Sequence, residues 1–251
     1  MPTKSIDCAI VGGGAMGTAA AYHLAKRKKD VHLFEQFVIG HELGSSHGYS
    51  RVIRRAYFEH PDYVPLVDRS YELWRELEKE SGESLLTVTG IVEMGKPESE
   101  IVQGDLRACR TYDIPFEYLD HAQIMRRFPQ FKLPKGIVGI WQKDAGILGV
   151  ERCILAHRAC ARNRGATLHE EEEVLEISPL RGSDAGVSFK TRRGTYRARK
   201  VVVAAGPWAA RMLKDLKLPL KVERQTLGFF YPRKRELFEL GNFPLFLIQT
   251  R

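Results

Sequence analysis

Gly12, Gly14 and Gly17 stand in a GxGxxG run directly behind the apolar stretch Ser5–Val11 (SIDCAIV). Glycines at that spacing suit one kind of chemistry. The first permits a tight turn, the second lets the backbone approach a pyrophosphate, and the third lets helix and strand pack closely. Ala15 and Met16 then open a helix whose first N–H groups point at the anion. Glu35 ends the next apolar run, Val31–Phe34, 18 residues after Gly17. A carboxylate there takes the hydroxyls of an adenosine ribose and disfavours a 2′-phosphate. Glycine turns also join strands to helices in proteins that bind nothing, and a lone acid is often a surface group. Strand, spacing and acid together favour a dinucleotide, FAD or NAD ahead of NADP.

Two further segments carry reactive side chains. In Gly44–Tyr57 (GSSHGYSRVIRRAY) small residues precede His47 and the arginines Arg51, Arg54 and Arg55; the other is Lys200–Ala210 (KVVVAAGPWAA). Hydride transfer to an acceptor ring leaves negative charge that a fixed cation stabilises. An amino-acid carboxylate is held by a guanidinium fork in two parallel hydrogen bonds. Arg51 suits the first role and Arg54, three residues on, the second. Arg55 reads as solvated surface.

The elements that must position these residues follow from periodicity. A strand at 5–11, a helix at 15–29 and a strand at 31–34 make a βαβ opening, and a helix over 62–80 follows a loop. LLTVTGIVEMG reads as one strand, 99–112 as a helix, and FEYLD and KGIVGIWQKDAG as strands. After a helix over 150–164 come ATLHEEEEVLEI, AGVSFKT, TYRARK and VVVAAG as separate strands. This predicts an α/β protein. A Rossmann-like dinucleotide domain spans 1–85 and 145–212, and an α+β substrate domain on a mixed or antiparallel sheet spans 86–144 and 213–251. The chain stops inside an apolar run, FPLFLIQTR, so it reads as a fragment with little turnover expected by itself.

The chain has 251 residues, 43% hydrophobic and 28% charged, which excludes a disordered tail or a disulfide-stapled miniprotein. A net charge of +8 favours anionic ligands. Cys8, Cys109, Cys153 and Cys160 form no CxxC pair and read as reduced thiols, and no apolar run is long enough for a membrane span. Cytoplasm is the default location, with no membrane partner. Cys153, His157 and Cys160 share a helix face without a fourth ligand nearby, so packing is expected rather than a metal. The basic runs KRKK and TRRGTYRARK lack interleaved aromatic platforms, which argues against nucleic acid. GxSxG, HExxH and Walker patterns are absent, so hydrolase readings find no support.

The whole chain resembles the flavin-dependent amine oxidases of the sarcosine oxidase, N-methyltryptophan oxidase and pipecolate oxidase group, within the D-amino-acid oxidase-like superfamily. The resemblance runs from DCAIVGGGAMG through EQF, GSSHGYSRVIRRAY, DAGILG and AAGPW to VERQTLGFFYP and FPLF. It implies a glutathione-reductase-like fold, FAD as cofactor, and hydride transfer from a secondary or N-methyl amino acid. O2 would reoxidise the flavin to give hydrogen peroxide. It also implies that Gln36 lies beside Glu35 at the cofactor, and that the loop holding Ser45 and Ser46 runs along the flavin. Arg51 would sit by the isoalloxazine, Arg54 would bind the substrate carboxylate, and His47 and Ser50 would line the pocket. Val174 would be a backbone contact to the adenine, and Ala205, Gly206 and Trp208 would close over the cofactor. Covalent members bond flavin to a cysteine that none of these four matches. Close relatives in the group are mostly monomers, and a peroxisomal address would be read at the true C-terminus, which is expected to lie beyond this chain. A flavin dehydrogenase using an electron carrier, a nicotinamide dehydrogenase, and a non-enzymatic dinucleotide- or RNA-binding module remain alternatives.

Overall fold

The computed structural model describes residues 6–180 and 186–250. Ser5 and Ala185, each expected to open a strand, lie outside the described residues. The chain runs β1 (Ile6–Val11), α1 (Ala15–Lys26), β2 (Val31–Phe34), β3 (Arg51–Ile53), α2 (Tyr63–Ser81), β4 (Leu86–Val88), β5 (Ile91–Gly95) and α3 (Glu100–Thr111). Then come β6 (Glu117–Leu119), α4 (His121–Arg127), β7 (Val138–Gln142), β8 (Gly146–Leu148), α5 (Val150–Asn163) and β9 (Thr167–His169). The last elements are β10 (Val174–Leu180), β11 (Gly186–Thr191), β12 (Thr195–Val203), α6 (Ala209–Met212) and β13 (Leu245–Ile248). Contacts divide the chain into two units. The first holds the chain up to Tyr49, Lys79–Glu83 and Gly149–Gln225; the second holds Ser50–Glu78, Ser84–Leu148 and the chain from Thr226. This differs from the division expected from sequence chiefly at 50–78, because β3 pairs with β8 in the second unit.

The first unit carries a six-stranded sheet in the order β10-β11-β12-β1-β2-β9. β1 lies parallel to both β2 and β12, with Val11 opposite Phe34 and Val203. Parallel strands covered on both faces read as continuous apolar runs, as CAIV does. TYRARK and VVVAAG are one strand rather than two. The front of β12 pairs antiparallel with β11 and its rear pairs parallel with β1, so two textures share one backbone. ATLHEEEEVLEI is instead two strands. Glu171 adopts φ +54 between them, and its N–H donates to the Phe37 carbonyl.

In the second unit, β13, β5, β7 and β6 form one sheet, with β13 parallel to β5 and the other pairs antiparallel. β3, β8 and β4 form a separate antiparallel sheet. The expected strand LLTVTGIVEMG therefore splits between two sheets. Gly90 makes the break, with φ +70 and the Trp141 ring 2.1 Å from where a Cβ would stand. Helix α4, unforeseen in sequence, starts on a capping box in which Asp120 and Gln123 each accept the other's backbone N–H at 2.8 Å. Among the described residues no helix is long and apolar enough to cross a membrane.

Helices α1 and α5 pack together in the first unit. Cys153, His157 and Cys160 are all buried on the inward face of α5, with the His157 ring 5.6 Å from Tyr22. Burial holds the His157 imidazole well below its ordinary 6.5, at about 4. The unfolded chain therefore binds this proton first as pH falls, so the contribution to stability is whole above 6.5 and is lost toward 4. Between about pH 7 and about pH 4.5, His157→Gln should lose about 2–3 kcal/mol less stability than the parent. Denaturant midpoints for both proteins at the two pH values check this.

Candidate functional site

A cavity of about 600 Å³ opens in the first unit where the β1–α1 turn meets the ends of β2 and β12. That volume lies within the usual range for small-molecule sites. Gly12, Gly14, Ala15 and Met16 line one wall and Glu35, Gln36, Ser45 and Ser46 another. Val174, Ala205, Gly206 and Trp208 also face it. Gly17 lies outside the lining because its role is packing: a Cβ there would fall 1.8 Å from the Gly12 carbonyl oxygen. That near-contact seats the first turn of α1 on the glycine turn. Sequence reasoning missed His41, Ile154, Glu173, Arg211 and Met212, which also line the cavity. Ile154 belongs to a helix face readable as plain packing, and Arg211 and Met212 lie just beyond the AAGPW motif.

Glu35 is buried and its carboxylate is already engaged. Its Oε2 accepts the Gly13 N–H at 2.6 Å and its Oε1 the Phe37 N–H at 2.9 Å. The Nε2 of His41 lies 3.4 Å from Oε1. His41 Nδ1 accepts the Leu43 N–H at 3.0 Å, so a neutral His41 carries its proton on Nε2, facing Glu35. Each Glu35 oxygen thus accepts one backbone N–H and keeps an acceptor site for a ligand hydroxyl.

The start of α1 suits an anion. Gly14 caps the helix without a side-chain hydrogen bond, and Ser46 Oγ accepts the Ala15 N–H at 3.2 Å. The following N–H groups of a helix's first turn have no intrahelical acceptor, and a diphosphate supplies one. Apolar Val11, Ile154 and Met212 line other parts of the cavity. A dinucleotide with an adenosine ribose, a pyrophosphate and flat apolar rings fits this donor set.

The expected substrate-side residues are placed differently. His47 is half-buried and does not line the cavity. Ser50 and Arg51 are exposed, and Arg51 Nη1 donates to the Ser50 carbonyl at 2.9 Å. In the second unit Arg54 is buried, its Nε 3.0 Å from Glu93 Oε1 and its Nη2 3.2 Å from Glu59 Oε2. Its guanidinium lies 4.1 Å above the Tyr57 ring. Arg55 is no free surface cation: it grips Asp68 with two bonds of 2.7 and 2.9 Å. Glu93 was passed over, although a glutamate inside the apolar run GIVEMG is a signal of a buried charge.

The sequence profile of the FAD dependent oxidoreductase family matches residues 7–250. The chain belongs to this family. It is 42% identical over 231 residues to a monomeric sarcosine oxidase of Streptomyces avermitilis, covering 92% of this chain and 59% of that protein. It is 30% identical over 243 residues to an N-methyl-L-tryptophan oxidase of Yersinia pestis, covering 97% and 64%. The fold is similar to that of NikD, an amino acid oxidase essential for nikkomycin biosynthesis, with a TM-score of 0.76 at 33% identity over 85% of this chain and 55% of that one. The chain thus spans less than two thirds of the length of these relatives.

In this member of the FAD dependent oxidoreductase family, Glu35→Gln exchanges a charged acceptor for one whose N–H₂ end would meet the N–H of Gly13 or that of Phe37. Affinity for FAD should fall roughly tenfold to a hundredfold, the worth of one charge-assisted hydrogen bond. Quenching of FAD fluorescence measures it. FMN, which lacks the adenosine, should distinguish the two proteins far less; an unchanged FAD affinity would remove Glu35 from the site.

Proposed function

We propose that the protein is an FAD-dependent oxidase of secondary or N-methyl amino acids, cleaving their C–N bond by oxidation to an imine that water hydrolyses. The observation that carries the reading is the cavity built on the Glu35-tethered glycine turn, in a chain of this family. Bound FAD would supply the two-electron acceptor, with O2 taking the electrons on to hydrogen peroxide. The chain's own residues bind and orient. The first turn of α1 would face the pyrophosphate, and the open acceptor sites of Glu35 would take the ribose hydroxyls. Gln36, Ser45, Val174, Ala205, Gly206 and Trp208 give the cofactor its walls.

Arg54 is assigned the substrate carboxylate because a planar guanidinium fixes both the distance and the angle of a planar anion. Arg51 is assigned the fixed positive charge that opposes the charge arriving with the electrons. His47 and Ser50 are assigned to the pocket wall by the family resemblance. The substrate class is that named for the sarcosine and N-methyl-L-tryptophan oxidases to which the chain is similar. A small-molecule amino acid and O2 are the partners, the protein acts as a monomer in the cytoplasm, and no residue here is assigned to covalent attachment of flavin.

The test is a visible spectrum of the purified protein with FAD, before and after anaerobic addition of N-methylglycine, N-methyltryptophan or pipecolate. Flavin bands that bleach with one of these and recover with O2, releasing peroxide, are the expected result. A folded protein that FAD cannot reconstitute contradicts the reading. Bleaching that recovers with a dye but not with O2 makes the enzyme a dehydrogenase. Arg54→Lys should raise KM for the bleaching substrate about tenfold or more, with a smaller change in kcat, since it removes the fork but keeps the charge.

A further inference from the structure

Beneath Arg54 in the second unit lies a pair of carboxyl groups that the proposed chemistry does not use. Glu93, on β5, and Asp105, on α3, are both wholly buried, and Gln142 of β7 is nearly so. Gln142 fixes the orientation of the cluster. Its Oε1 accepts the Ala56 N–H at 3.0 Å, so its Nε2 is the end that donates to Glu93 Oε2, at 3.1 Å. The other Glu93 oxygen faces the Arg54 Nε at 3.0 Å. One Glu93 oxygen thus accepts a hydrogen bond from Gln142, and the other is ion-paired with Arg54 without a hydrogen bond of its own, so a positive charge stands beside Glu93 rather than beside Asp105. Among the described residues no donor hydrogen-bonds either Asp105 oxygen, and the carboxyl it meets is that of Glu93.

Two carboxyl groups in contact away from water do not both ionise. We propose that Glu93 and Asp105 hold one proton between them, carried by Asp105, and act together as a positioning device for Arg54. They fix the Nε edge of its guanidinium and leave its Nη edge for a ligand carboxylate. This rests on the reading that Arg54 binds the substrate carboxylate.

The surroundings support the assignment. α3 reaches this depth because Gly104 has no side chain: a Cβ there would lie 2.1 Å from the Phe58 carbonyl oxygen. The charged and titratable groups around the pair are Arg54, Arg55, Tyr57 and Glu59 on the segment after β3, and Cys109 on α3. Burial pushes the Cys109 thiol up to about 12 and raises the Tyr57 phenol, so both stay neutral at physiological pH. Burial also raises both carboxyls. The Arg54 charge draws Glu93 back down, while the neighbouring Glu93 drives Asp105 further up. Glu59, on the Nη edge, is 47% exposed and is the partner a ligand could replace. Loss of the shared proton would add a second buried negative charge beside Arg54 and repel an incoming carboxylate.

The test has two arms on the FAD-loaded protein. Infrared difference spectra in H2O and D2O, with ¹³C-labelled aspartate, should show a protonated aspartic carboxyl at neutral pH that is missing in Asp105→Asn. Its absence from the parent protein overturns the proposal without any variant having to fold. The second arm measures binding of methoxyacetate, the isostere of N-methylglycine with oxygen in place of the amine, by calorimetry across pH. Parent affinity should weaken about tenfold as the pair loses its proton on the alkaline side, while Asp105→Asn stays flat over the same range. Equal pH dependence in the two proteins overturns the proposal while leaving Arg54 as the carboxylate site. If Arg54→Gln binds methoxyacetate as well as the parent does, the reading of Arg54 fails instead, and the infrared band still decides whether the carboxyls share a proton.

Discussion

The Glu35 carboxylate is the constraint on which the ligand cavity depends. A glycine turn has no side chains with which to hold itself in shape, and Gly12 sits at φ +106. The 2.6 Å bond from the Gly13 N–H to Glu35 replaces that missing anchor. The backbone of the same residue joins two more segments, its N–H donating to the His169 carbonyl and its own carbonyl accepting the Glu172 N–H. One step earlier, the Gly12 N–H donates to the Phe34 carbonyl. The ends of β1 and β2 and the turn after β9 therefore meet around one acid. Leaving a buried donor such as the Gly13 N–H unpaired costs about 1–3 kcal/mol, so the acid both shapes the turn and receives the ligand.

The two units handle buried charge in different ways. In the first, Glu172 gathers the Thr191 hydroxyl at 2.7 Å, the Tyr196 hydroxyl at 2.9 Å and a His169 ring nitrogen at 3.1 Å, which together hold it below the usual carboxylate range despite burial. In the second, Arg54 is surrounded by more acid than it can neutralise. Taking an ion pair out of water costs several kcal/mol per ion before the attraction returns any of it. Packing alone does not explain why Glu93 and Asp105 stand where apolar residues would fill the space.

Much of the first unit was legible in sequence because local pattern and tertiary role coincide there. CAIV, the glycines, AYHLA and VHLF each carry a period or a turn that only one structure satisfies. Legibility failed where one segment serves two neighbours. β12 changes from an antiparallel to a parallel partner without a break in the chain, and no periodicity reports that change. The split at Gly90 depends on Trp141, more than fifty residues away in sequence. At the site, glycines, small residues and the acid were readable because their chemistry is backbone chemistry. His41 and Arg211 were not, since a histidine or arginine in a loop has the same local context whether it lines a cavity or faces water. Arg54 could be singled out by its spacing, but the buried acids near it, Glu93 and Asp105, come from β5 and α3.

The central claim is that the β1–α1 turn, held by Glu35, is where the dinucleotide binds. The most direct measurement follows backbone amide resonances of the ¹⁵N-labelled protein while FAD is added. The account predicts the largest shifts at Gly13, Gly14, Ala15 and Met16, with Ala205 and Gly206 following. Amides of the turn that stay still while those of the basic β11–β12 hairpin move would contradict it.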